Sequence, residues 1–459
     1  MNQQSNNRIS IMRDEPVAAS LMKLGIPTMI GMLISALYNA IDAYFVSGLG
    51  MSQMGAVSVV FPIVQIVIGL GMMFGAGASS YISRLLGKGD NAEANRTAST
   101  ALFASIFVGA VIIAGIMVFL NPVLMSLGAT DTILPYARAY AQIYVTGSII
   151  NVFTVTMNNL LTAQGATRFT MISMLTGSII NIILDPIMIY ALDWGIEGAA
   201  IATVISLGVN MALYIGYIAT KQGVLRLSLR NIRLSPQLLG EILKIGIPVL
   251  LFQLLASASM GLTNSAAKPY GDYAVAAMGA VIRIMTVGTY IVFGFLKGFQ
   301  PFAGYNYGAK QFDRLKKAIR LCLIWSTTFG IIAAIVLFAF AEPIVSIFGT
   351  DTEMVNLAGK ALRLNAILFV TFGFQMVYAS LYLSIGKSLV GGLLSLSRQG
   401  VFFLPLIYVL PRLFQLSGVI WVQPAADLLT TAVTLIFAIK INRALTVEPS
   451  AYPQGGEPA

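Results

Sequence analysis

Twelve runs of mainly apolar residues, each near or above the roughly 20 residues needed to cross a bilayer, occupy most of this 459-residue chain. In lipid a lone segment must pair its own backbone N–H and C=O groups, so such a run folds as a helix. The runs lie at about 18–46, 55–83, 97–120, 133–160, 169–192 and 196–219, then at about 239–265, 274–302, 317–340, 355–383, 389–410 and 417–439. We number them spans 1 to 12. The expected fold is an all-α integral membrane protein. Composition agrees: 10% of residues are charged and the mean hydropathy is +0.82, whereas soluble domains carry about 25% charged residues.

The absence of histidine and the single cysteine, Cys322, leave no disulfide framework and no Cys/His metal centre. Cys322 sits in an apolar run and reads as a small buried hydrophobe. No Walker or other nucleotide-binding pattern is present, so ATP-driven transport is disfavoured. Without a nucleophile–base pattern, an enzyme is not expected either, and no cofactor is implied.

The net charge of +10 does not point to nucleic acid. The basic residues fall in short connections between apolar runs, as topology signals do. Twenty of the 28 Lys and Arg gather on one side, from Arg8 and Lys23 through Arg84, Arg168, Lys221, Arg226 and Lys310 to Lys440 and Arg443. The other side has Arg138, Lys268, Lys360, Arg363 and Arg412. The rich side reads as cytoplasmic, so both termini are expected inside an inner or plasma membrane. Met1 to Glu15 are polar and of mixed charge, unlike a secretory signal.

The chain also repeats. MKLGIP at Met22–Pro27 returns as LKIGIP at Leu243–Pro248, an offset of 221; Asn121-Pro122 returns as Glu342-Pro343, and Gly165 as Gly386, at the same offset. LGATDT at Leu127–Thr132 returns as FGTDT at Phe348–Thr352. Six spans per half give both halves the same orientation, hence two pseudo-symmetric lobes in a parallel repeat with a site near the midplane between them. The expected units are a tail at 1–17, an N-lobe at 18–219, a cytoplasmic linker at 220–240, a C-lobe at 241–440 and a tail at 441–459. The basic linker, with Ser235-Pro236, reads as holding a short amphipathic piece. A monomer is expected, in contact with membrane lipids.

Against this apolar background two carboxylates stand out. Asp185 lies inside span 5, four residues after Asn181 and next to Pro186. Residues four apart share a helix face, and Pro186 leaves the Ile182 carbonyl without its helical donor. One face thus offers a carboxylate, a side-chain amide and a free carbonyl, all oxygens of the kind hard cations prefer. Span 1 carries Ser35, Asn39 and Asp42, span 4 Asn151, Thr154, Asn158 and Thr162, and span 6 Thr203, Ser206 and Asn210. Such groups are costly against lipid unless paired, which directs the stripes toward one another or toward water. No basic residue lies within these four cores, so a cation or proton is the simplest neutraliser of Asp42 and Asp185.

The second half keeps neither acid: the offset takes Asp42 to Thr263, and Asp185 corresponds to Leu404. It shows Gln253, Ser257 and Asn264 on span 7 and Phe369, Phe372, Gln375, Met376 and Tyr382 on span 10. With Tyr38, Asn39, Phe61, Tyr140 and Tyr144 these are candidates for a pocket for large amphipathic ligands, since methionine and ring faces make adaptable surfaces and bind organic cations. Arg283, Lys297, Arg398 and Asp427 also lie within spans. They either line the cavity or pair structurally, with Asp427 the natural partner of Arg398. Pro27 and Pro248 occupy equivalent places in spans 1 and 7 and predict kinks.

YNAIDAYFVSGLG, GAVSVVFPI, MNNLLTAQG and NIILDPIMIYALDWGIEGAAIAT, with LGIP opening span 1, resemble the multidrug and toxin extrusion (MATE) family, nearest its DinF/MepA-like branch. The resemblance covers Ala18 to about Arg443. It implies cation-coupled export of cationic, often polyaromatic drugs by alternating access between two lobes. It also implies a coupling site for Na⁺ or H⁺ in the N-lobe made by Asp42, Asn158, Asn181, Asp185 and Thr203, with Pro27 as hinge; if Na⁺ is the ion, Asp42, Asn181, Asp185 and Thr203 are its ligands. The other branch keeps acids on spans 7 and 10, where this chain has Thr263, Asn264 and Gln375. The rival reading is a lipid-linked oligosaccharide or lipid flippase, which would want a cationic cavity.

Overall fold

A computed structural model describes residues 3–220, 223–349 and 351–447. Lys221 and the tail from 448 onward lie outside the described residues. Among those residues every regular element is a helix, with no strand.

The spans are Val17–Ser47, Met51–Lys88, Asn91–Val118, Leu134–Ala163, Thr167–Pro186 continuing through the π-helical turn Ile187–Ala191, and Gly195–Ala219. Spans 7 to 10 are Pro236–Ala267, Asp272–Gly308, Phe312–Ala339 and Thr352–Ser384. Span 11 starts at Ser388–Leu396 and passes through the π-helical turn Ser397–Val401. It ends within the tract Phe403–Val447, which changes direction at Gln415 (φ 52°, ψ −134°) and continues as span 12. Ten helices are apolar enough on composition alone to cross a membrane, one of them the merged tract Ser388–Leu445. Leu134–Ala163 completes the twelve; Gln142, Asn151, Asn158 and Asn159 dilute its apolar character.

The repeat is visible in the backbone as well as in the letters. Positive φ recurs at Gly50 and Gly271, at Gly89 and Lys310, and at Gly165 and Gly386, each pair 221 apart, with φ of 82° at both members of the last pair. Only glycine enters that region without steric cost, so Lys310 shows that the turn is imposed by the repeat rather than by residue choice. Short helices Leu120–Ser126 and Ala341–Val345 follow spans 3 and 9.

The two halves meet where spans 1 and 2 cross spans 8 and 7. A Cβ on Gly77 would strike the Ile242 carbonyl, and one on Gly298 would strike the backbone of Gly25. The offset of 221 turns one crossing into the other, Gly25 into Gly246 and Gly77 into Gly298. Small residues let the backbones touch. These crossings lie toward the end of the bundle that carries the termini. There one core unites both halves, from Leu24, Met73 and Leu160 to Phe302 and Tyr378. At the opposite end the cores separate, one around Val60, Tyr140 and Ile189 in the first half, others around Val281 and Leu362 and around Phe403 in the second. The lobes are therefore closed together at the termini-bearing end and apart at the other.

Two expectations for the connecting segments need correction. The stretch before span 1 is not merely a polar tail: Gln3–Arg13 is a helix with Met12 fully buried. Its end is tied to the second half by Arg314, whose Nη2 donates to the Met12 and Glu15 carbonyls at 3.2 and 2.8 Å. Among its described residues, Gly223 to Ser235, the linker holds no amphipathic helix, and span 7 begins at Pro236. Apart from the single turn Leu229–Asn231 it is extended, because side chains of spans 3 and 4 take up its N–H groups. Gln164 Oε1 accepts from Val224 N at 2.6 Å, Asn95 Oδ1 from Arg226 N at 2.7 Å, and Thr100 Oγ1 from Arg233 N at 3.0 Å.

Candidate functional site

Spans 1 and 5 run side by side in a fixed register. Thr167 Oγ1 donates to the Lys23 carbonyl at 3.3 Å, Gly31 faces Met174, and Tyr190 Oη donates to the Phe45 carbonyl at 2.5 Å. These links are 144, 143 and 145 residues apart, so Asp42 stands level with Asp185, 143 residues on. The two carboxyl groups are close neighbours. Asn181 Nδ2 donates to Asp185 Oδ1 at 3.1 Å, and Asn181 and Asp185 are essentially sealed from solvent.

Three buried oxygens here have no donor: Asp42 Oδ1, Asn181 Oδ1 and Asp185 Oδ2. Neither acid takes part in an ion pair among the described residues. Buried oxygens without donors are expensive, and two carboxyl groups this close repel unless a proton or cation lies between them. The donor set is all oxygen and suits a hard cation or a shared proton.

Span 6 runs antiparallel to span 5, with Gly177 beside Asn210 and Gly198 beside Met188. That register sets Thr203 level with Ile183 and Leu184, within one turn of Asp185. Its Oγ1 donates within its own helix to Ala199 O at 3.1 Å.

Asn158 is placed differently. Its Oδ1 accepts from Lys297 Nζ of span 8 at 2.7 Å and its Nδ2 donates to Tyr214 Oη at 3.2 Å. Tyr214 in turn lies close to Ser173, whose buried Oγ has no hydrogen-bond partner. Ser173 precedes Asp185 by twelve residues, about 18 Å along a helix. Asn158 thus belongs to a second polar cluster, three turns from the acids, that links the two halves. Helical spacing within span 4 could not reveal this, because the partner comes from the other half of the chain.

The main cavity, about 430 Å³, lies between the halves. Of the candidates, Phe61, Gln253 and Arg398 line it, as does Lys297; Tyr38, Asn39, Tyr140, Asn264, Arg283 and Gln375 do not. Gln375 is turned into the C-lobe, where Nε2 donates to Asp427 O at 2.9 Å and Thr431 Oγ1 at 2.8 Å. Tyr140 is buried in the N-lobe, stacked on Tyr144. Asn39 is exposed and bonds Ser35 O at 2.6 Å. Asn264 keeps its Oδ1 buried without a partner, and Arg283 is exposed outside the cavity. Tyr38 lies near both Asp42 and Tyr290, the latter on the cavity wall.

Arg398 reaches the cavity with its charge matched. Its Nε and Nη2 meet Asp427 Oδ1 and Oδ2 at 2.6 and 3.3 Å, Gln423 adds a bond of 2.9 Å to Oδ1, and the guanidinium lies 4.6 Å from the Phe372 ring centroid. Both open sequence readings of the pair therefore hold at once. Wall residues that sequence reasoning missed include Gln65, Phe252, Tyr290, Phe293 and Gln300. The last three flank Lys297 along one face at steps of three and four, a signal legible around that charge.

The MatE family profile matches residues 27–187 and 248–409, one match in each half. Multidrug export protein MepA of Staphylococcus aureus (strain MSSA476) is 28% identical over 441 residues, covering 96% of this chain and 97% of that protein. An outward-facing multidrug resistance MATE family transporter of the MOP superfamily superposes with a TM-score of 0.89 at 27% identity, over 95% of this chain and 98% of that one. A MATE solved in complex with MaL6 gives 0.90 at 27% identity, over 97% and 100%. A match in each half and these likenesses over nearly the whole chain agree with the repeated six-helix halves described above: this chain is a multi-pass membrane protein and belongs to the MatE family of transporters.

Proposed function

We propose that this protein is a secondary-active antiporter that exports amphipathic small molecules in exchange for Na⁺ or H⁺ taken at Asp42 and Asp185. The observation that carries the reading is the group of donorless buried oxygens on Asp42, Asn181 and Asp185, with no basic residue against them. An intramembrane acid without a counter-ion marks an ion or proton path. The name of the Staphylococcus relative, a multidrug export protein, supports drugs as cargo, and ring faces and methionines such as Phe293, Tyr290, Met72 and Met285 on the cavity wall suit them.

The mechanism is mutually exclusive loading. A cation or proton from outside neutralises the acids, cargo leaves through the open end, and the lobes then close over that end. Each load must bind one conformation better than the other, or no work is done. Pro27, at the crossing of spans 1 and 8, is the proposed hinge of this alternating access. The basic side of the bundle faces the cytoplasm, with both termini inside, in the plasma or inner membrane. Asp42→Asn and Asp185→Asn are expected to abolish gradient-driven efflux from reconstituted vesicles while leaving folded protein; wild-type efflux by both variants would overturn the assignment.

One observation favours a second reading. Lys297 and Arg398 face the cavity, as the flippase of a lipid-linked oligosaccharide would require. Translocation of a labelled lipid-linked sugar, with no drug efflux, would select it.

A further inference from the structure

Among the described residues that line the central cavity there is no aspartate or glutamate, and there are two cations, Lys297 and Arg398. The charge of Arg398 is consumed by its two-point contact with Asp427. That of Lys297 is not: the neutral Asn158 Oδ1 is the one acceptor its Nζ meets among the described residues. An ammonium has three donors, so two point away from any protein oxygen. A half-buried ammonium without a counter-ion is a destabilising arrangement that an anion would relieve.

The surroundings define the rest of the ligand. Span 8 presents Tyr290, Phe293, Lys297 and Gln300 along one face, with Phe252 of span 7 packed on Phe293 at 5.6 Å between ring centroids. Rings thus lie one to two turns from the ammonium, toward the open end of the cavity. We propose that Lys297 is the anion-binding residue of this cavity, and that the cargo is an amphipathic acid or zwitterion whose carboxylate or phosphate meets Nζ while its apolar body lies against Phe252, Tyr290 and Phe293. The proposal rests on the transport reading above and narrows its cargo, away from purely cationic drugs. A bound anion shares Lys297 with Asn158, which places the cargo beside the polar cluster that joins the halves.

The test is equilibrium binding to the purified full-length protein in nanodiscs, with no gradient imposed, so that it is independent of coupling. Two fluorescent probes share one ring system: pyrenebutyrate, an anion, and pyrenemethylammonium, a cation. Wild type is expected to bind the anion about tenfold more tightly or better, the scale of one buried charge-assisted hydrogen bond. Lys297→Gln, which can still bond Asn158, is expected to erase that preference without weakening the cation, and Lys297→Arg to keep it. Equal affinities in wild type, or a preference untouched by Lys297→Gln, would overturn the proposal. Discs of phosphatidylcholine and discs containing phosphatidylglycerol separate the two sources of such an anion. Loss of pyrenebutyrate binding only in the latter assigns the site to an anionic lipid, and retention in both assigns it to a diffusible acid. The preference is a ratio of affinities read with no gradient imposed, so a failed ion-coupling assignment leaves this result standing.

Discussion

Thr167 on span 5 donates its hydroxyl to the carbonyl of Lys23 on span 1, at 3.3 Å. That carbonyl is the one Pro27 deprives of its helical donor, four residues on. Span 1 therefore passes Pro27 as a continuous helix, with the broken bond made good by the neighbouring span that carries Asp185.

Removing the hydroxyl should expose the debt. Thr167→Val is expected to cost about 1 kcal/mol of stability, the net value of a buried hydrogen bond, in the Pro27 background. In a Pro27→Ala background, where the Ala N–H can bond Lys23 itself, the same change should cost close to nothing. Thermal unfolding of the four proteins of this cycle measures it; equal costs in both backgrounds would deny the link.

The ion pair in the C-lobe makes a second prediction. Arg398 and Asp427 are 8% and 3% exposed, so removing either partner leaves a buried charge. Arg398→Ala or Asp427→Ala should destabilise by about 3–5 kcal/mol, while the double change to apolar residues of similar size, Arg398→Met with Asp427→Leu, should recover most of that. Denaturation midpoints of purified protein decide it.

The glycine crossings make a third. Valine at Gly77 or Gly298 would push side chains into the Ile242 carbonyl or the Gly25 backbone, and such overpacking typically costs about 1–3 kcal/mol. The closed junction at the termini-bearing end should loosen. Ser80 lies at that junction, its Oγ donating to Leu383 O at 2.6 Å. A cysteine placed at Ser80, with Cys322→Ala removing the native thiol, should react faster with a water-soluble maleimide in the Gly77→Val and Gly298→Val proteins. Unchanged labelling would mean that these crossings do not hold the junction.

What the sequence made legible followed from local periodicity. Asp185 and Asn181 share a face because they are four apart, and the structure bonds them. Asp42 could be named as a buried acid on span 1, but its level beside Asp185 depends on the register of two helices that no pattern within either span encodes. The repeat of Met22–Pro27 at Leu243–Pro248 was plain in the letters, and its consequence, paired glycine crossings, needed coordinates. Asn158 went astray for the same reason: its stripe was read correctly as inward-facing, yet Lys297, from the opposite half, decides what it bonds. Gln375 resembles a cavity residue by its place beside Met376, yet the roughly 100° between successive helix positions turns it to Asp427 and Thr431 instead.

The central claim is that Asp42 and Asp185 take the coupling ion. Its most direct test is drug efflux from vesicles containing the full-length protein, driven in separate runs by an imposed Na⁺ gradient and an imposed pH gradient. We expect at least one gradient to drive efflux by the wild type and neither to drive it by Asp42→Asn or Asp185→Asn. Gradient-driven efflux that persists in both variants would contradict the account.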